Sequence, residues 1–147
     1  MVAGIALKGQ NISGELSRNG VYAEFYVLRH DFSDGFVSLN YERIVGKKGK
    51  SAIRAGIYPD FQSTISFPLT YTRITSPRSV HHFEYGLGAV IRIERFEGNT
   101  YKDIPAIMIP IVYRYQKNNR LLFRAGVNVF LSWPRLPSPS ISIGYKF

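Results

Sequence analysis

The last eight residues, Ser140-Ile141-Ser142-Ile143-Gly144-Tyr145-Lys146-Phe147, constrain the fold more than any other stretch of the chain. Apolar residues alternate there with small or polar ones, which makes a strand with one greasy face and one polar face. Such a strand needs neighbours of the same kind, and the chain supplies them. Two-residue periodicity runs through positions 20–28, 36–44, 51–58, 64–74, 81–93, 106–115, 121–131 and 139–147. Turn residues bound these segments and none has a helical period, so the pattern predicts an all-β sandwich or barrel.

Composition narrows the choice. A chain of 147 residues has room for eight barrel strands in one domain, but not for a second domain. Cysteine is absent, which removes disulfides and thiolate metal sites. No run approaches the roughly 18 consecutive apolar residues of a spanning helix. The net charge of +9 raises nucleic acid as a partner, but the basic residues are scattered along strands and turns such as Gly46-Lys47-Lys48-Gly49-Lys50. No basic face forms, so no nucleic-acid partner is expected. Residues 1–19 have no clear period and read as an N-terminal arm or leader remnant before a barrel at 20–147. That arm lacks the hydrophobic content to fold alone and suits a segment that orders on a partner.

An internal repeat describes the unit of construction. Asn40-Tyr41-Glu42-Arg43, a turn and Arg54-Ala55-Gly56 recurs as Thr70-Tyr71-Thr72-Arg73, a turn and Glu84-Tyr85-Gly86. It recurs again as Val112-Tyr113-Arg114-Tyr115, a turn and Arg124-Ala125-Gly126, and Gly144-Tyr145-Lys146-Phe147 repeats its first half. The unit is a hairpin. Three hairpins with one strand at each end make eight strands, closed by pairing the last with the first. Tight turns (46–50, 75–80, 116–120) fall at one end, and more varied loops (29–35, 59–63, 94–105, 132–138) at the other.

Volume decides which row faces inward. The apolar row carries Leu39, Ile53, Phe67, Leu69, Phe83, Leu87, Ile109, Ile111, Phe123, Ile141 and Ile143, while the opposite row carries Ser38, Asn40, Gly56, Ser66, Thr70, Gly86, Gly88, Gly126, Ser142 and Gly144. The interior of an eight-stranded barrel is just wide enough for its side chains, and the large apolar row would overfill it. The apolar row therefore faces out, into lipid; a soluble sandwich or lipocalin-like barrel is the competing arrangement. Tyr41, Tyr71, Tyr113, Tyr145 and Phe147 recur near the turn end, where an interfacial aromatic girdle belongs. Phe32, Phe61, Phe96, Tyr101, Phe130 and Trp133 are candidates for the opposite girdle.

Strand number, girdle, polar lumen and the terminal Phe147 together resemble small eight-stranded bacterial outer-membrane β-barrels of the OmpX and OmpA membrane-domain kind. The resemblance implies an antiparallel up-and-down transmembrane barrel in the bacterial outer membrane, with both termini on the periplasmic side and membrane lipids as partners. Members of that group include structural anchors, adhesion factors and lipid-modifying enzymes, so the fold alone does not choose a role.

Aligning the repeats sets Glu42 opposite Arg54, Thr72 opposite Glu84 and Arg114 opposite Arg124, with Lys146 meeting Glu24 where the barrel closes. Glu24, Glu42, Arg54, Glu84, Arg114, Arg124 and Lys146 then form one inward layer. Opposed Arg114 and Arg124 repel and need Glu84 or Glu42 from across the lumen. Such a layer reads as an ion-selective constriction or as a plug; the narrow bore favours the plug. His82 and Glu84 share the lumen row, which raises a metal site, an acid–base pair or, with Ser79, a hydrolase like the lipid-A deacylases. Ser79 lies in a turn, His81 and His82 point to opposite faces and no oxyanion donor is evident, so no catalytic residue, metal or cofactor is expected. Pro68 and Pro110 interrupt strands and each removes a ladder donor. They read as bulges aiding curvature, or as kinks opening a lateral gap for acyl chains. The expected role is a non-enzymatic structural barrel or an accessory subunit of a larger outer-membrane assembly. A lipid-A or phospholipid-modifying enzyme or acyl-chain binder is the alternative.

Overall fold

The computed structural model describes residues 18–27, 35–46, 50–59, 64–75, 80–96, 99–102, 105–117, 120–131 and 137–147. The arm at 1–17 falls outside them. Nine strands run in chain order: β1 Asn19–Val27, β2 Gly35–Val45, β3 Ser51–Pro59, β4 Thr64–Ile74, β5 His81–Phe96, β6 Asn99–Lys102, β7 Ala106–Lys117, β8 Leu121–Phe130 and β9 Pro137–Lys146. Each barrel strand pairs antiparallel with the next along the chain, and β1 pairs with β9 to close the ring. The molecule is a closed, eight-stranded, up-and-down barrel.

The ninth strand is short β6, which pairs only with the outer part of β5, Phe96 opposite Asn99. The alternation had assigned this stretch to a loop. Four residues with a single apolar side chain carry no periodic signal, and the sixteen-residue β5 runs far enough beyond its barrel partners for them to pair with its outer end.

Polar and charged residues outnumber hydrophobic ones among the buried side chains, while Leu39, Leu69, Leu87, Ile141 and Ile143 are more than half exposed. The apolar row faces out, and the small and polar row fills the lumen. Glycine makes the narrow bore possible at two telling places. A Cβ on Gly20 would lie 2.4 Å from Cδ of Lys146, and one on Gly86 would lie 2.0 Å from the Tyr71 carbonyl oxygen.

Two registers differ from those the repeat suggests. Thr72 faces Gly86, and Glu84 faces Ile74, a shift of two residues. At the seam Lys146 faces Gly20, and Glu24 faces Ser142. Turn length and the closing offset of the whole barrel set these registers, and a repeat within hairpins encodes neither. Both displacements are even, so every side chain keeps its face.

The prolines do not form bulges. Between β3 and β4 the pairing runs to Ala55 opposite Leu69 and resumes at Tyr58 opposite Ser66, in unbroken register. Between β5 and β7 it runs to Tyr85 opposite Ile111 and resumes at Gly88 opposite Met108. Pro68 thus stands across from Gly56, and Pro110 from Gly86, each within a two-pair interruption and with no extra residue. A missing N–H, not an insertion, breaks each ladder.

Candidate functional site

The lumen is layered along its axis. At the turn end Ile44, Ala52 and Ile74 pack into a small apolar cluster. At the loop end Tyr26, Tyr58, Val90 and Met108 form a larger one, with Phe36, Ala106 and Phe130 against it. Tyr26 and Tyr58 meet edge to face, with centroids 5.8 Å apart. Phe130 thus lies on the lumen row and not in an outer girdle, because Asn128 and Arg124 on the same strand also point inward. Phe32, Phe61 and Trp133, and the side chains of Phe96 and Tyr101, lie outside the described part of the molecule.

Between the two apolar clusters sits the charged layer. Glu42 accepts from Arg54 Nε at 2.8 Å, Arg114 Nη1 at 2.9 Å and Lys146 Nζ at 2.6 Å. Glu84 accepts from Arg54 Nη2, from Arg114 Nη1 at 2.6 Å and from Arg124 Nε at 3.2 Å. Two carboxylates therefore hold four cations, the six residues each on a different strand. Arg114 and Arg124 do stand directly opposite each other, and both reach Glu84. Arg114 also donates to Gln116 Oε1. Burial of charges at this density persists only where each is paired and hydrogen-bonded, and the network meets most of that demand.

Glu24 occupies the lumen row but not this layer. Among the described residues the ion pairs run to Glu42 and Glu84, and Glu24 makes none of them. It borders a cavity of about 20 Å³ together with Tyr22, Asn40, Arg54, Thr70, Arg124 and Asn128, a space on the scale of one water molecule. Arg124 presents its guanidinium to the Tyr22 ring at 4.8 Å. Its Nη1 is buried with no hydrogen-bond partner among the described residues. Alternation places Tyr22, Tyr26 and Tyr58 inward but does not single them out as lumen residues. Their inward parity, two apart from Glu24 or four from Arg54, was the available signal.

His82 and Glu84 share the lumen row without sharing a hydrogen bond. His82 Nδ1 lies 3.1 Å from the Thr75 carbonyl, while Glu84 is engaged by three arginines. His81 faces outward, its Nδ1 2.5 Å from the Tyr113 hydroxyl. Ser79 is outside the described residues.

On the outer wall, Tyr41, Tyr71, Tyr113 and Tyr145 are each exposed by two-fifths to one-half, and Phe147 by 60%. Three of their hydroxyls are matched with a polar group on a neighbouring strand: Tyr41 donates to Asn19 Oδ1 and Tyr71 to Ser51 Oγ, both at 2.8 Å, and Tyr113 meets His81. The rings thus share one level, with their polar tips toward the turn end.

The fold has a solved counterpart. The crystal structure of the N-terminal β-barrel domain of Pseudomonas aeruginosa OprF is similar to this chain with a TM-score of 0.60, covering 89% of this chain and 99% of that one at 12% identity. No protein-family profile and no curated protein matches the chain. The resemblance to small outer-membrane barrels, read from alternation and girdle, holds in the architecture: both are closed eight-stranded barrels.

Proposed function

We propose that this chain is a non-enzymatic integral barrel of the bacterial outer membrane, structural or accessory in role, with both termini on the periplasmic side. The observation that carries the reading is the inversion of burial: large apolar side chains ring the outside and ion pairs fill the middle. Exposure of so much contiguous apolar surface is untenable in water and natural in lipid. Apolar clusters above and below the charged layer support a lumen that serves as a plug and not as a channel.

The likeness of fold to the OprF barrel domain supports the reading. Membrane lipids are then the first partners. A larger outer-membrane assembly is the second, engaged through the wall, the loop tips or the arm at 1–19. The test has two parts. The purified chain should require detergent, and its folded form should run differently from its boiled form on a gel. In planar bilayers it should give no reproducible single-channel steps. A detergent-free soluble monomer overturns the membrane reading, and stable steps overturn the plug. Pull-down from native membranes with and without residues 1–19 addresses the partner.

A further inference from the structure

Four strands leave the turn end of the barrel, β1, β3, β5 and β8, and all begin alike. The residue just before each accepts, at its carbonyl, a hydrogen bond from the backbone N–H of a buried residue on a neighbouring strand: Ile44 donates to Arg18, Ile74 to Lys50, Gln116 to Val80 and Lys146 to Arg120. Residues opposed in a ladder share a face, so Arg18, Lys50, Val80 and Arg120 stand on the lumen row, and all four are exposed. Their strands alternate around the barrel, which sets them a quarter-turn apart. They ring the mouth of the lumen beside the cluster of Ile44, Ala52 and Ile74. Three of the four are cations.

Nothing at this end offsets the ring. Among the described residues Arg18, Lys50 and Arg120 take part in no ion pair, since Glu42 and Glu84 engage the deeper cations. A second set, Arg43, Arg73 and Lys117, is exposed on the outward row of β2, β4 and β7, beyond Tyr41, Tyr71 and Tyr113, where lipid headgroups lie against it. The inner ring stands inboard of the wall, over the mouth. No Asp or Glu is exposed at this end among the described residues, and the sequence of the connecting turns adds Lys47, Lys48 and Arg78 and no acid. These nine cations equal the net charge of the whole chain, +9, because the remaining ten basic and ten acidic residues cancel. The arm at 1–17 is not the missing counter-charge, for it carries one base, Lys8, and one acid, Glu15.

We propose that the turn-end mouth docks an acidic peptide segment of a partner protein, whose carboxylates meet Arg18, Lys50 and Arg120. A segment entering the mouth finds cations on three sides, and guanidinium offers carboxylate a paired set of donors. Lys47, Lys48 and Arg78 in the turns continue the positive charge beyond the ring, which suits a ligand with several charges along its length more than a single small anion. On the fourth side stands Val80, 42% exposed. A peptide can set an apolar side chain against it; a polyphosphate has none to offer. Complementary charge steers such a segment to the mouth and makes the contact salt-dependent. The inference rests on the accessory-subunit reading above and gives the chemistry of the partner.

The folded full-length chain is placed in phosphatidylcholine nanodiscs, which leave both mouths open and add no net lipid charge. It is titrated with a fluorescent peptide of glutamates broken by single valines, and with the same peptide carrying glutamine for glutamate. The glutamate peptide should bind about tenfold more tightly or better, and less tightly as salt is raised. Arg18→Gln/Lys50→Gln/Arg120→Gln should weaken it about tenfold, the sum of three exposed ion pairs, while Arg43→Gln/Arg73→Gln/Lys117→Gln should change it by about twofold or less. The inner ring holds the ladder through its carbonyls, so its side chains can be replaced without losing a backbone hydrogen bond. The gel shift between folded and boiled forms shows that each variant is still a barrel. No binding to an inserted barrel overturns the proposal alone. Equal losses in the two triple variants do the same, as does a polyphosphate that binds the inner ring more tightly than the peptide. Failure to insert overturns the membrane reading, and the proposal with it.

Discussion

Lys146, on the last strand, donates to Glu42, on the second, at 2.6 Å, passing over Gly20 of the first. One contact between residues 104 positions apart ties three strands across the seam of the barrel. Replacing Lys146 with Met should therefore weaken closure. Glu42 keeps two arginines, so the loss is put at about 1–3 kcal/mol rather than the full cost of an orphaned charge. Gly20→Val should cost at least as much, because its Cβ would occupy the path of the lysine stem. Urea unfolding of the reconstituted barrel, followed by the gel shift, checks both. An unchanged midpoint for Gly20→Val would show that the seam does not depend on this crossing.

Glu84 is the second hub. Glu84→Gln strips Arg54, Arg114 and Arg124 of a shared anion, and destabilisation of roughly 3–5 kcal/mol is expected. Adding Arg124→Met to that background should cost less than the two single changes summed, since it removes a charge that has lost its partner. Strict additivity in the unfolding free energies would argue against a coupled network.

On the proposed plug, the two apolar clusters and the charged layer are three barriers in series, so removing one should not open the lumen. Tyr58→Ala enlarges the loop-end cluster but leaves the charged layer and the cluster of Ile44, Ala52 and Ile74 in place. Bilayer recordings of this variant should stay silent. Steady conductance from the single change would locate the whole barrier at the loop end.

The interruptions at Pro68 and Pro110 leave backbone without its ladder partner, and such sites open more readily. Hydrogen–deuterium exchange should be faster at Gly56–Ile57 with Phe67, and at Gly86–Leu87 with Ile109, than in the ladders on either side. Uniform protection along β4 and β7 would contradict this.

His82 meets the Thr75 carbonyl while Glu84 is held by Arg54, Arg114 and Arg124, so the pair is not arranged as an acid–base couple. His82→Ala should fold and should leave any lipid-directed activity of the preparation unchanged. Phospholipid and lipid-A hydrolysis, assayed side by side with the parent chain, decides it. Loss of an activity in a folded His82→Ala barrel would revive the enzymatic alternative.

The faces of this barrel were legible in the residues themselves. Alternation assigns each side chain to lumen or lipid, and register errors of two at Glu84 or four at Glu24 leave that assignment intact, because the pleat repeats every two residues. The count of barrel strands followed from the repeat for the same local reason. Which charges meet did not. Glu42 collects Arg54, Arg114 and Lys146 from three other strands, and Glu84 draws on Arg54, Arg114 and Arg124, through the stagger with which eight strands close on one another. Hairpin sequences carry no record of that stagger. The apolar clusters at each end likewise arise only when distant strands curve into contact. Local chemistry determined which way each residue points; closure of the ring decided what it finds there.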